Sequence, residues 1–233
     1  MTGLRVEVDV PFTEPLPCGA GTCAVPLDIL APEDAEALPT IVLLPGGPGA
    51  FNDRRYLEAL ATEVARRGAV VFLATYRSDA TGDSTDASLN DVRCALRFAS
   101  SRTAEFGGDP DRLVLVGHSF GSNLALGTAA NAGADPAGCL ADGPRAPDAA
   151  VGLAGFLFSI DGPADPAIRF LLMSGSEDPA SENGPSGAEG LREAGFEADY
   201  TELQGIDHFG IVDPAVTPEV ADMILAMSEP AEE

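Results

Sequence analysis

The chain has 233 residues and a formal net charge of −24, from 37 acidic side chains against 13 basic ones that are all arginine. That length suits a single α/β domain, residues 1–233, able to bury a full core. The charge argues against a nucleic acid or an anionic membrane as partner, since both would be repelled.

The first residues alternate in hydrophobicity over 5–10 and read as a strand rather than as the apolar stretch of a signal peptide. No apolar run approaches the length that spans a bilayer. The expectation is a soluble cytoplasmic protein, with secretion left open should a leader have been removed. Cys18 and Cys23 flank Gly19-Ala20-Gly21-Thr22, a loop flexible enough to let them bridge, and a second strand follows at 24–30. With no helix between them, the first two strands read as an antiparallel start. Strands at 40–44, 69–75, 113–117, 151–156, 168–173 and 198–203 then alternate with helices at 54–67, 89–106, 120–131, 187–194 and 218–228. This rhythm predicts a mostly parallel eight-stranded sheet with helices on both faces. Helix 89–106 shows the pattern well. Val92, Ala95, Leu96, Ala99 and Phe106 share one face, and Gly107-Gly108-Asp109-Pro110 stops it. Cys94 on this helix has the ordinary reading of a buried thiol and would pair with Cys139 only if the fold joined two helix-end regions. With two histidines and no closely spaced cysteine pair of the zinc type, a metal site is not expected, nor is any cofactor.

The most informative stretch is Leu113-Val114-Leu115-Val116-Gly117-His118-Ser119-Phe120-Gly121, an apolar strand, a Gly-x-Ser-x-Gly turn and the opening of a helix. In that context the turn must hold Ser119 in a strained, left-handed conformation, with glycines where strand and helix backbones nearly touch. A serine hydroxyl is a weak nucleophile and needs a base that is itself oriented. His118 neighbours Ser119 on the turn and should point away from its hydroxyl, packing beneath it. His208, in the glycine-flanked loop Gln204-Gly205-Ile206-Asp207-His208-Phe209-Gly210, is therefore the candidate base. The acid should end a strand between serine and histidine, which favours Asp178 in Ser176-Glu177-Asp178-Pro179, with Glu177 or Asp161 as substitutes; Asp207 caps its own loop. Backbone donors for an oxyanion are expected from Phe120 and from Pro45-Gly46-Gly47-Pro48-Gly49 after the 40–44 strand. Pro48 has no N–H, so Gly47 is the first choice and Gly46 the second, with Gly46 and Gly49 lining the substrate path.

With these residues in hand the chain resembles the α/β-hydrolase superfamily over about residues 24–228. Gly117-His118-Ser119-Phe120-Gly121 looks like its nucleophile elbow, Gly46-Gly47-Pro48-Gly49 like its oxyanion loop, and Asp178 and His208 like its acid and base. Asp109-Pro110-Asp111-Arg112 and Tyr76-Arg77 are similar to the carboxylesterase, feruloyl-esterase and arylformamidase branches, as is Asp207-His208-Phe209 to arylformamidases. Pro45 departs from the histidine usual there. The Gly-Gly-Pro-Gly run is instead similar to proline iminopeptidases, and 23–28 to secreted tripeptidyl aminopeptidases. Those enzymes carry a large helical cap, for which residues 157–167 are too few. The resemblance implies a cofactor-independent serine hydrolase with little or no cap, acting on small-molecule carboxylic esters as a monomer or homodimer. An arylformamidase, a small-peptide amidase and a silent binding module of the same fold are the alternatives. Residues 51–55, 145–149 and 158–163 are expected to wall the pocket.

Overall fold

The computed structural model describes residues 3–47, 53–78, 84–131, 133, 135–142, 146–157, 159–160, 165 and 167–229. All eight expected strands form one sheet. In chain order these are β1 (Leu4–Pro11), β4 (Pro26–Pro32), β5 (Leu38–Leu44), β6 (Val70–Ala74), β7 (Gly108–His118), β8 (Ala149–Leu153), β9 (Arg169–Gly175) and β10 (Glu197–Leu203). Their spatial order is β1-β4-β6-β5-β7-β8-β9-β10. β1 runs antiparallel to β4, and β4 antiparallel to β6, while every pairing from β6 to β10 is parallel. An additional short hairpin, β2 (Leu16–Cys18) and β3 (Gly21–Cys23), occupies a stretch read from sequence as loop. A disulfide between Cys18 and Cys23 closes it, with Cα atoms 5.6 Å apart.

The central strands are buried on both faces, which is why they read as continuous apolar runs rather than alternating ones. Ile41, Leu43, Val71, Leu73, Val114 and Val116 face one layer, where α1 (Glu58–Arg66) and α5 (Thr217–Ala226) pack. Val42, Leu44, Phe72, Leu113 and Leu115 face the other, covered by α2 (Thr85–Arg102) and α3 (Phe120–Ala130). α4 (Asn183–Glu193) extends that second layer, setting Leu191 against Phe170 and Leu172.

Element edges moved where caps and strand pairing decide them. α2 starts four residues earlier than the apolar periodicity implies, because Ser84 is extended and its hydroxyl faces the Ala87 N–H at 3.4 Å. β8 begins at Ala149, paired with Val114, and ends before Ala154, whose φ of 53° turns the chain out of the sheet. Cys94 and Cys139 do meet: a disulfide with Cα atoms 5.0 Å apart ties α2 to the segment beyond α3. No helix among the described residues is long and apolar enough to cross a membrane.

The strand order also places the site. From β5 the chain steps to β6 on one side and then returns to β7 on the other. In parallel sheets this reversal opens a crevice beyond the carboxyl ends of the two strands that part, here β5 and β7.

Candidate active site

Ser119 stands at the end of β7 and caps α3, with φ 55° and ψ −121°. An L-residue held there costs on the order of 1–3 kcal/mol and persists only where its surroundings fix it. They do so by hydrogen bonds: the Ser119 N–H donates to the Leu153 carbonyl at 2.8 Å, and its own carbonyl accepts from Ser122 and Asn123. The glycines are required by contact. A Cβ on Gly117 would overlap the Gly121 carbonyl, one on Gly121 would overlap the Pro45 carbonyl, and one on Gly46 would lie 2.6 Å from the Ser119 Cβ. The sequence spacing is thus a record of three backbones in contact.

The structure brings Ser119, His208 and Asp178 together in one hydrogen-bonded chain. Ser119 Oγ lies 2.9 Å from His208 Nε2, and His208 Nδ1 lies 3.0 Å from Asp178 Oδ2. Asp178 follows β9 and is buried, so its carboxylate orients the imidazole out of reach of competing water. With Nδ1–H donating to that carboxylate, Nε2 is left as the lone pair that faces the serine hydroxyl. Glu177 is exposed and uses its backbone N–H on Ile206. Asp207 accepts from the N–H groups of Phe209 and Gly210, the loop cap expected of it. Asp161 falls outside the described residues.

The loop expected to supply oxyanion donors follows β5. Tyr76, buried behind it, donates from its hydroxyl to the Pro45 carbonyl at 2.8 Å. Burial drives the Tyr76 hydroxyl far above the ordinary tyrosine pKa, so it remains a donor. Gly47 has φ 92°, a backbone state that favours glycine. The N–H of Gly46 is already donated to the Tyr56 hydroxyl at 2.5 Å, which leaves Gly47 as the better-placed donor of the two. Gly49 lies outside the described residues.

His118 is fully buried beneath the turn, as its position on the elbow implies. Its Nδ1 is 2.8 Å from the Tyr56 hydroxyl and its Nε2 is 2.9 Å from the His208 carbonyl. A cavity of about 500 Å³ opens beside Ser119, lined by Gly46, Gly47, Asp53, Tyr56, His118 and Phe209. Of the expected wall segments, Asp53 is present there, while residues 51–52, 145, 158 and 161–163 are not among those described. Tyr56 and Phe209 were not marked as site residues by sequence. Phe209 is 64% exposed, an unusual state for phenylalanine beside a catalytic-type histidine, and its ring meets Tyr56 edge-on at 6.3 Å.

Three comparisons place this geometry among known proteins. The BD-FAE family model matches residues 27–137. A probable isoprenylcysteine alpha-carbonyl methylesterase of Arabidopsis thaliana is 28% identical over 44% of this chain and 21% of its own length. The chain spans between a fifth and a quarter of the first curated relatives it matches. Among solved structures, a truncated carbohydrate esterase from gut microbiota superposes with TM-score 0.76 and 18% identity, covering 96% of both chains. Esterase 2 of Thermogutta terrifontis, phosphoramylated by tabun, gives TM-score 0.76 and 21% identity, covering all of this chain and 98% of that one. The fold is that of the α/β hydrolases.

Proposed function

We propose that this α/β-hydrolase chain is a serine esterase that cleaves small-molecule carboxylic esters through an acyl-enzyme. The observation that carries the proposal is the unbroken hydrogen-bond chain from Ser119 through His208 to Asp178 at the mouth of an apolar-walled cavity. Ser119 attacks the ester carbonyl as His208 Nε2 takes its proton. Asp178 holds the Nδ1–H and stabilises the imidazolium that forms. The developing oxyanion is received by the N–H groups of Gly47 and of Phe120 at the positive end of α3. The imidazolium then protonates the leaving alcohol, and water repeats the sequence in reverse to free the acid and restore Ser119. No step calls on a cofactor.

The names of the relatives and structural neighbours support ester rather than amide hydrolysis. Two disulfides favour an oxidising compartment over the cytoplasm as the working environment, since reducing compartments keep such thiols open.

Fluorophosphonate labelling tests the proposal. The parent protein is expected to be labelled rapidly at Ser119 and Ser119→Ala not at all; folded parent protein that resists labelling is a binding module instead. A panel of p-nitrophenyl esters of graded acyl length, with N-formylkynurenine and an aminoacyl anilide, assigns the bond cleaved. Turnover of the formamide or the anilide alone would replace the esterase reading with a formamidase or an amidase.

A further inference from the structure

For a neutral His118 the polar groups beneath the elbow fix the arrangement of protons. Gly46 N–H donates to the Tyr56 hydroxyl, and a hydroxyl that accepts there has one proton left to give. Its neighbour is His118 Nδ1 at 2.8 Å, which in the neutral ring accepts that proton. The other ring nitrogen, Nε2, faces the His208 carbonyl at 2.9 Å and must therefore carry the hydrogen. Gly46 belongs to the oxyanion loop, and His208 carries the proposed base. One neutral ring beneath Ser119 thus joins two loops that come from opposite ends of the sequence.

We propose that His118, acting through Tyr56, is a positioning residue that holds the oxyanion loop and the base loop in register as the neutral imidazole. A second proton would put hydrogen on Nδ1, reverse the bond to Tyr56 and turn the Tyr56 hydroxyl proton away from the ring. The proposal rests on the esterase reading above. His118 makes no contact with the Ser119 hydroxyl that would mark it as a second base. Its role is to fix where the Gly47 N–H and the His208 imidazole stand, and a misplacement of about 1 Å at such groups can cost on the order of 100-fold in rate.

The surroundings keep the ring neutral. Burial is the main influence and lowers the His118 pKa to about 4 from 6.5; the hydrogen bond to the His208 carbonyl works against it, a charged His208 would add to it, and Asp178 opposes it. Tyr56, the titratable group on the α1 side, is itself raised to about 12 by burial and remains protonated. Asp53, across the cavity, is the remaining carboxylate of the lining. Phe209 and His208 close the other sides, their ring centroids 5.6 and 5.1 Å away. Reversal of the bond to Tyr56 therefore belongs near pH 4, where the ring takes its second proton.

The experiment uses p-nitrophenyl butyrate as probe, the full chain, and the variants His118→Phe, Tyr56→Phe, the double variant and His118→Gln. Each is first matched to the parent by circular dichroism and melting. His118→Phe and Tyr56→Phe are expected to lower kcat about 10- to 100-fold, with KM within about threefold of the parent. The double variant should be no worse than the poorer single one, because both cut the same relay. His118→Gln, whose amide can accept from Tyr56 and donate to the His208 carbonyl, should recover most of the loss. In the parent, log kcat/KM is expected to fall more steeply through pH 4 than in His118→Gln. Parental kcat in a folded His118→Phe, or additive losses in the double variant, would overturn the inference while leaving the esterase reading intact. If His118→Phe does not fold, Tyr56→Phe and the two pH profiles decide it. A parent inert to both fluorophosphonate and esters removes the reading beneath the inference, and the inference with it.

Discussion

Ser119 and Asp178 show how much a single position can owe to distant chain. The left-handed conformation of Ser119 is held by a carbonyl from β8 and by the close approach of Gly46 from the loop after β5, neither of them near it in sequence. Asp178 lies 30 residues before His208 and reaches it because parallel β9 and β10 end at the same edge of the sheet. Replacing Asp178 by Asn keeps the size of the side chain but offers an amide that no longer specifies the Nδ1–H tautomer. In the proposed mechanism kcat should fall about 10⁴-fold, with KM for a small ester little changed, as read from steady-state hydrolysis. A loss below tenfold would pass the role of acid to another carboxylate.

At the scale of elements, buried ion pairs fix how strands meet helices. Asp91 on α2 is completely buried and accepts from the Arg77 guanidinium at 2.8 and 3.0 Å and from the Arg77 backbone N–H at 2.8 Å. The same guanidinium donates to the Pro17 carbonyl at 2.9 Å, so the segment leaving β6, the helix and the β2–β3 hairpin share one joint. Arg54 makes a similar joint through Asp28 on β4 and Asp9 on β1. Removing one partner of such a pair strands the other charge, which typically costs about 3–5 kcal/mol. Asp91→Ala should lower the urea midpoint accordingly, and a shift under about 1 kcal/mol would mean that the joint is not structural. Neither joint was singled out from sequence, because a lone Arg77 and an Asp91 on a helix look like surface charges until the strand order brings them together.

For the molecule as a whole, two covalent ties restrain the unfolded chain unequally. The Cys94–Cys139 bridge closes a separation of 45 residues and the Cys18–Cys23 bridge one of 5. By loop entropy the first contributes about 4 kcal/mol and the second about 2 kcal/mol. Opening the long bridge in a Cys94→Ala, Cys139→Ala variant should therefore lower stability more than opening the short one, as measured by chemical denaturation. Equal losses would show that strain or packing outweighs chain entropy here. With a net charge of −24 the folded chain also repels itself, and these ties oppose that expansion.

By itself the sequence determined the eight strands, the alternation that makes most of the sheet parallel, and the elbow around Ser119. These are legible because they are local: burial on two faces writes continuous apolar runs, and close backbone contact writes glycine at fixed spacing. It also narrowed the proposed base to His208, since the chain offers two histidines and one sits beneath the turn. Tertiary structure alone decided that Asp178 rather than exposed Glu177 faces that histidine, that Cys94 reaches Cys139, and that Tyr56 and His118 link Gly46 to the base loop. Each of these depends on which strand ends lie side by side, and strand order is set by packing among residues far apart in the chain, leaving no local pattern to read.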